Sequence, residues 1–108
     1  MTRAKEIENI LPLTETSFYI LLSLIQPLHG YGIIKKIEEM TAGRILMGAG
    51  TLYGALKNLL ENGLIVEVES SSDRRRDYQI TLKGKDLVLQ ELIRYEELIK
   101  NARSVVAG

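Results

Sequence analysis

At Asn62-Gly63 the chain changes its period, and no other feature constrains the fold as tightly. Ahead of that point Leu52, Leu56, Leu59 and Leu60 recur at i, i+4, i+7 and i+8, the spacing of one helix face, and Asn62-Gly63 ends the helix as a glycine C-cap does. Beyond it Leu64, Val66 and Val68 alternate with Ile65, Glu67 and Glu69, the period of a half-exposed strand. Tyr78 and Ile80 alternate in turn with Gln79 and Thr81. The two strands read as a hairpin around the loop SSSDRRRD, about eight residues where two to five are usual. From Thr81 a last helix is expected, covering about Lys83 to Val106.

Upstream, Ile7, Ile10 and Leu11 read as a short amphipathic segment stopped by Pro12. Thr14 can cap the next helix, with Glu15 favourable at its positive end, and the helix is expected to run to about Gln26 before Pro27. Phe18, Leu21, Leu22 and Ile25 keep helical spacing, while Tyr19, Ile20 and Leu24 make this helix apolar on nearly every side, so it belongs at the centre of the fold. HGYGIIKKIEEM restarts a helix, with Ile33, Ile34, Ile37 and Met40 opposite Lys35, Lys36, Glu38 and Glu39. Three helices followed by a hairpin is the order of a winged helix-turn-helix. The expected class is therefore mainly α with a small β-hairpin. Residues 1–81 would form the winged domain with an N-terminal helical arm, and residues 82–108 a C-terminal dimerisation helix.

Composition excludes several functions. A chain of 108 residues, 45% hydrophobic, is one globular domain. It has no cysteine and a single histidine, His29, and no carboxylates cluster at ligand spacing, so neither a metal nor a cofactor is expected. No nucleophile–base constellation is visible, which argues against an enzyme. The longest apolar run, Phe18 to Ile25, is too short to span a bilayer. MTRAKEIENI lacks an export signal's apolar core and cleavage site; a cytoplasmic location without a membrane partner is expected. The 14 basic and 14 acidic residues balance, so any nucleic-acid surface must be local.

Two local features qualify. In GAGTLYGALKNLLENGLI, Gly48 to Ile65, the glycines stand either in a phosphate-cradling loop or on the bare leading turns of a helix. The dinucleotide fingerprint requires a preceding strand and a different glycine spacing, and a Walker loop requires Gly-Lys-Ser/Thr. With the leucines on the core side, Gly50, Gly54, Lys57, Asn58 and Glu61 fall opposite, and Thr51 and Tyr53 flank them. Glycine inside a helix costs roughly 1 kcal/mol against alanine, a cost that makes sense at Gly54 if the backbone must approach a DNA groove closely. The plainer alternatives are drift at Gly54 and a core-rim tyrosine at Tyr53. Arg74, Arg75 and Arg76 in the hairpin loop can reach phosphates or the minor groove; otherwise they form a solvated loop partly neutralised by Asp73 and Asp77. A winged-helix protein-interaction module without DNA binding is the competing function, favoured by the zero net charge.

The last helix would be roughly 36 Å long at 1.5 Å per residue, more than so small a domain can cover. Val88, Leu92, Tyr95, Ile99, Ala102 and Val106 step by four and three, a heptad-like seam. Leu89, Ile93, Leu98 and Val105 widen it, while Glu91, Arg94 and Lys100 are assigned to the polar side. A homodimer through this helix is expected, with the segment containing Ile7 and Leu11 packing on the partner. Two-fold symmetry would then imply an inverted-repeat target.

The strings LTETSFYILLSLIQPLHGYGI, GTLYGALKNLLENGLI and RRRDYQITLKGKDLV resemble the PadR family of bacterial transcriptional regulators, over roughly Leu13 to Val88. The HGY turn, the G-T-L-Y helix start and Y-x-I-T-x-x-G carry the resemblance, and the single long C-terminal helix looks like the shorter subfamily. It implies a winged-helix dimer, usually a repressor, binding double-stranded DNA. Thr51, Tyr53 and Lys57 would face DNA from the recognition helix, Lys35 from the helix before it, and Arg74 to Arg76 from the wing; His29, Gly30 and Tyr31 match a turn in which packing ranks ahead of contact. Many relatives carry proline where Gly54 stands and serine-proline where Gly48-Ala49 stand, which here removes a cap and a phosphate contact. The resemblance also implies a small aromatic or lipophilic effector, with Phe18, Tyr19 and Tyr95 lining its space; the plainer reading of these rings is core and interface.

Overall fold

Capping defines the elements. In the computed structural model, which describes residues 11–70 and 75–108, the Thr14 hydroxyl accepts the Ser17 amide at 3.0 Å and opens helix α1, Glu15–Ser23. Strand β1 (Leu28–His29), helix α2 (Gly30–Met40) and helix α3 (Ala49–Glu61) follow, then strands β2 (Ile65–Val68) and β3 (Asp77–Ile80), and helix α4 (Leu82–Ala107). Thr81 caps α4 by accepting the Gly84 amide at 3.1 Å, and its own hydroxyl donates to the Gly63 carbonyl at 2.7 Å. One threonine thus fastens the α3–β2 turn to the start of α4.

Helix α3 ends as its sequence requires. Gly63 has φ of 71°, the Gly63 amide donates to Leu60 and the Leu64 amide donates to Leu59, both at 3.0 Å. This is a Schellman closure, which needs glycine at the left-handed position.

The core forms where the helical periods meet. Ile20, Leu21 and Leu24 from α1 and its exit, Ile33 and Ile37 from α2, Leu52, Leu56 and Leu59 from α3, and Leu87 from α4 are all buried. Removing one such side chain from water contributes about 1.5–3 kcal/mol, so α1 is the hub expected from its all-round apolar surface. Leu11 packs against this cluster; Ile7 and Ile10 lie outside the described residues.

Four details depart from the expectations. Helix α1 stops at Ser23 rather than near Gln26, because the Leu24 and Ile25 amides turn back to Leu21 and Leu22 at three-residue spacing. The hairpin gains a third strand, giving the antiparallel order β1-β3-β2, with Leu28 opposite Tyr78 and His29 opposite Asp77. In β2 the phase is inverted after Leu64. Ile65 is 1% exposed and Val66 45%, since Leu64 is buried as part of the helix closure and the strand proper begins one residue later. Glu91, assigned by its polarity to the outer face of α4, is instead fully buried.

Gly84 explains how α4 lies so close to the sheet. A Cβ there would sit 2.3 Å from the Leu64 carbonyl oxygen and 2.7 Å from the Ile80 side chain. Only hydrogen fits, which is the physical content of the glycine in Y-x-I-T-x-x-G.

Candidate nucleic-acid interface

Helix α3 turns its leucines inward and leaves the opposite face open. A Cβ added at Gly48, Gly50 or Gly54 would meet nothing within 4 Å. Thr51, Tyr53, Lys57 and Asn58 are exposed on the same side. Gly48 occupies the N-cap and offers no side-chain hydrogen bond, so no side chain caps the leading turn.

Tyr53 is 55% exposed, yet its ring is not adrift. Its hydroxyl lies 2.8 Å from where a Cβ on Gly30 would be, so the absence of a side chain at Gly30 lets Tyr53 lie against the start of α2. A cleft of about 460 Å³ opens beside it, between α3, the head of α2 and the wing, lined by His29, Tyr31, Tyr53, Arg75, Arg76 and Tyr78. A neighbouring hollow of about 400 Å³ continues along α3 past Lys57 and Glu61, with Glu67 opposite and Tyr53, Arg76 and Tyr78 as shared walls. Tyr78 is buried, and burial, followed by the charge of Glu67, raises its hydroxyl pKa above the ordinary value.

The wing brings positive charge to this cleft. Arg75 Nε stands 3.5 Å from Asp77 Oδ1 and 3.1 Å from Ser70 Oγ, while Arg76 is 3.5 Å from Glu67 Oε1. Asp77 Oδ1 is buried and accepts no hydrogen bond among the described residues. The exposed Arg76–Glu67 pair contributes about 0–1 kcal/mol, little enough to be exchanged for a phosphate, whereas the carboxylate facing Arg75 is itself buried. Arg74 lies outside the described residues. Thr51 and Lys35 stand exposed without lining either hollow, and Lys35 Nζ is 3.7 Å from Glu38.

One residue of this surface belongs to the turn for which the sequence ranks packing ahead of contact. Tyr31 is 66% exposed and stacks on His29 with centroids 6.4 Å apart and planes 24° apart. The usable signal was its spacing: Tyr31 is four residues before Lys35, on the face of α2 away from Ile33 and Ile37.

A second assembly joins α1 to α4. Phe18 meets Tyr19 and Tyr95 edge to face at 6.5 and 5.2 Å, and the three border a hollow of about 490 Å³ together with Leu13, Leu22 and Arg94. Beneath it Arg94 grips Glu91 through two hydrogen bonds of 2.8 and 2.9 Å and lies 4.8 Å over the Tyr95 ring. The Leu13 amide and the Tyr95 hydroxyl also donate to Glu91, at 3.1 and 3.3 Å. The Arg94 bonds, ahead of the Leu13 amide, hold the Glu91 carboxyl below its ordinary pKa despite burial. Tyr95 is shifted up, chiefly by burial.

The seam residues of α4 divide in two. Val88 is 7% exposed and belongs to the chain's own core, and Tyr95 is half-buried on Phe18. Leu92, Ile99, Ala102 and Val106 are exposed, as are Leu89, Ile93, Leu98 and Val105. Among the described residues no helix is long and apolar enough to cross a membrane, and no group of three His, Asp or Glu could hold a metal.

Three helices, a three-stranded sheet and a long loop beside an open α3 define a winged helix-turn-helix with an appended C-terminal helix. The chain belongs to the transcriptional regulator PadR-like family, whose model matches residues 5–90. It is similar to a transcriptional regulator from Clostridium thermocellum, 27% identical, with a TM-score of 0.74 and 96% of this chain and 97% of that one covered. A PadR family transcriptional regulator from Eggerthella lenta shares the fold at 19% identity, with a TM-score of 0.70 and coverages of 95% and 87%. RosR of h. salinarum does so at 24% identity and 0.68, over 91% and 94%. An uncharacterized 37.1 kDa protein in transposon TN4556 of Streptomyces fradiae is 38% identical over 65 residues, 60% of this chain but 18% of that protein. The chain thus spans less than a fifth of that curated relative's length.

Proposed function

We propose that this transcriptional regulator binds double-stranded DNA as a homodimer, with α3 in the major groove and the wing on the flanking backbone. The observation that carries the reading is the open face of α3, bare at Gly48, Gly50 and Gly54, in a chain of the PadR-like family. Bare backbone admits close approach to base edges, and Thr51, Tyr53 and Lys57 are the side chains in reach. Arg75 and Arg76 serve the phosphates.

The exposed stripe of α4 supports the homodimer. The first turns of this helix bury Gly84, Leu87, Val88 and Glu91. The same stripe then continues through Leu98, Ile99, Ala102 and Val106 with nothing of this chain described over it. A second copy covers such a stripe by two-fold pairing, and the operator is then an inverted repeat with half-sites about one turn, or a multiple, apart. The hollow bordered by Phe18, Tyr19 and Tyr95 is the seat of a small aromatic or lipophilic effector, and repression relieved by that effector is the mode of action.

The test is titration onto a labelled duplex of about 30 base pairs at about 50 and about 200 mM salt. Binding should weaken steeply with salt. Lys57→Ala should weaken it further and lower the log–log slope by about 0.9 for one lost phosphate contact. Absent or salt-insensitive binding favours the protein-interaction module and overturns the reading.

A further inference from the structure

We infer that the cleft beside Tyr53 is a seat for one sugar–phosphate unit of the DNA backbone, and that Tyr31 is a contact residue there. The inference rests on the DNA-binding reading and deepens it. Three observations carry it together. First, the cleft joins the head of α2, the leading half of α3 and the wing, so a group held in it touches all three parts of the winged domain. Second, its walls combine two exposed tyrosines, Tyr31 and Tyr53, with Arg75, Arg76 and His29. Hydroxyl and guanidinium donors beside flat ring faces match an anionic phosphodiester attached to a deoxyribose, and a volume of about 460 Å³ exceeds what phosphate alone would need. Third, the tyrosines are placed rather than loose: Tyr31 is stacked on His29, and Tyr53 lies across the bare backbone of Gly30.

The acids nearby are accounted for. Asp77 and Glu67 stand 3.5 Å from Arg75 and Arg76. They hold the arginines at the cleft, and a phosphate arriving between them competes for the same N–H groups with better bidentate geometry. Gly30 is a positioning residue. A methyl group there would displace the Tyr53 hydroxyl without touching DNA itself.

Backbone contacts are blind to sequence, which gives the experiment its discrimination. Wild type, Tyr31→Phe, Gly30→Ala, Arg76→Ala and Lys57→Ala are titrated by fluorescence anisotropy onto a random-sequence duplex at several salt concentrations, with each variant's melting temperature recorded. Tyr31→Phe should lose affinity roughly tenfold or more, the size of one hydrogen bond to a charged acceptor, with melting temperature and salt slope unchanged. Arg76→Ala should lose affinity and about 0.9 of slope. Gly30→Ala should lose affinity with its salt slope unchanged, because the Tyr53 hydroxyl is displaced and no charge is removed. If Tyr31→Phe binds as wild type while Lys57→Ala is weakened, the seat is refuted and the DNA-binding reading stands. If wild type binds no duplex, both fall.

Discussion

Helix α3 and the far half of α4 are both exposed, and they expose opposite surfaces. Along α3 the outward positions are alanine, glycine, threonine, lysine and asparagine, closing on one acid, Glu61, with Tyr53 the large apolar exception at 55% exposure. Along α4, Leu98 and Ile99 are about half exposed, and Val105 and Val106 more than four-fifths. A helix stripped of side chains suits a hydrated, charged, rigid partner that the backbone itself must approach. One crowded with aliphatic chains suits a partner of its own kind. The same domain core supports both: leucines of α3 and the first turns of α4 pack into one cluster, and each helix has a face left over.

The largest expected effect breaks the α4 side alone. In the homodimer proposed above, Ile99→Asp would place a carboxylate twice in the two-fold interface. With about 1.5–3 kcal/mol for full burial of an apolar side chain, and Ile99 about half exposed in the single chain, the loss at two copies plus the cost of burying charge should raise the dimer dissociation constant about a hundredfold or more. Sedimentation equilibrium measures this; an unchanged oligomeric state would separate α4 from dimerisation.

The link that fastens α4 to the segment ahead of α1 is smaller in effect and depends on pH. Glu91 links Leu13, ahead of α1, to Arg94 and Tyr95 on α4. Its lowered pKa means that its contribution is present above the unfolded value of 4.5 and is lost as pH falls through the folded value. Glu91→Gln should therefore cost about 1–2 kcal/mol at neutral pH, discounted because Arg94 is partly exposed. The gap from wild type should close in acid. Denaturant melts at pH 7 and near pH 3.5 check it, and a gap that stays constant would contradict the ion-pair account.

The smallest change carries the opposite sign. Gly54→Ala adds a methyl group to an open helix position, stabilising the fold by about 1 kcal/mol, some 5 °C in melting temperature, while weakening duplex binding. A variant that is more stable and binds equally well would remove the reason for bare backbone on α3.

The sequence carried α3 almost completely, because Leu52, Leu56 and Leu59 have a single consistent period and Gly63 a single workable conformation. It carried β2 less well. Leu64, Ile65 and Val66 are all apolar, so the phase was ambiguous until the helix closure claimed Leu64. Strand β1 is two residues long, too short to show any period. Glu91 was misplaced because polarity reports side-chain chemistry, not partners, and one partner is an amide 78 residues away. Tyr31 hid behind a turn motif read as packing. The open face of α3 was legible as a pattern; the cleft beside it needed the wing and the head of α2 brought together.

Amide chemical-shift mapping on titration with duplex DNA tests the central claim most directly. Perturbations should concentrate from Gly48 to Asn58 and at Arg75 and Arg76, with the exposed end of α4 silent. Shifts confined to α4, with those of α3 unmoved at saturation, would contradict it.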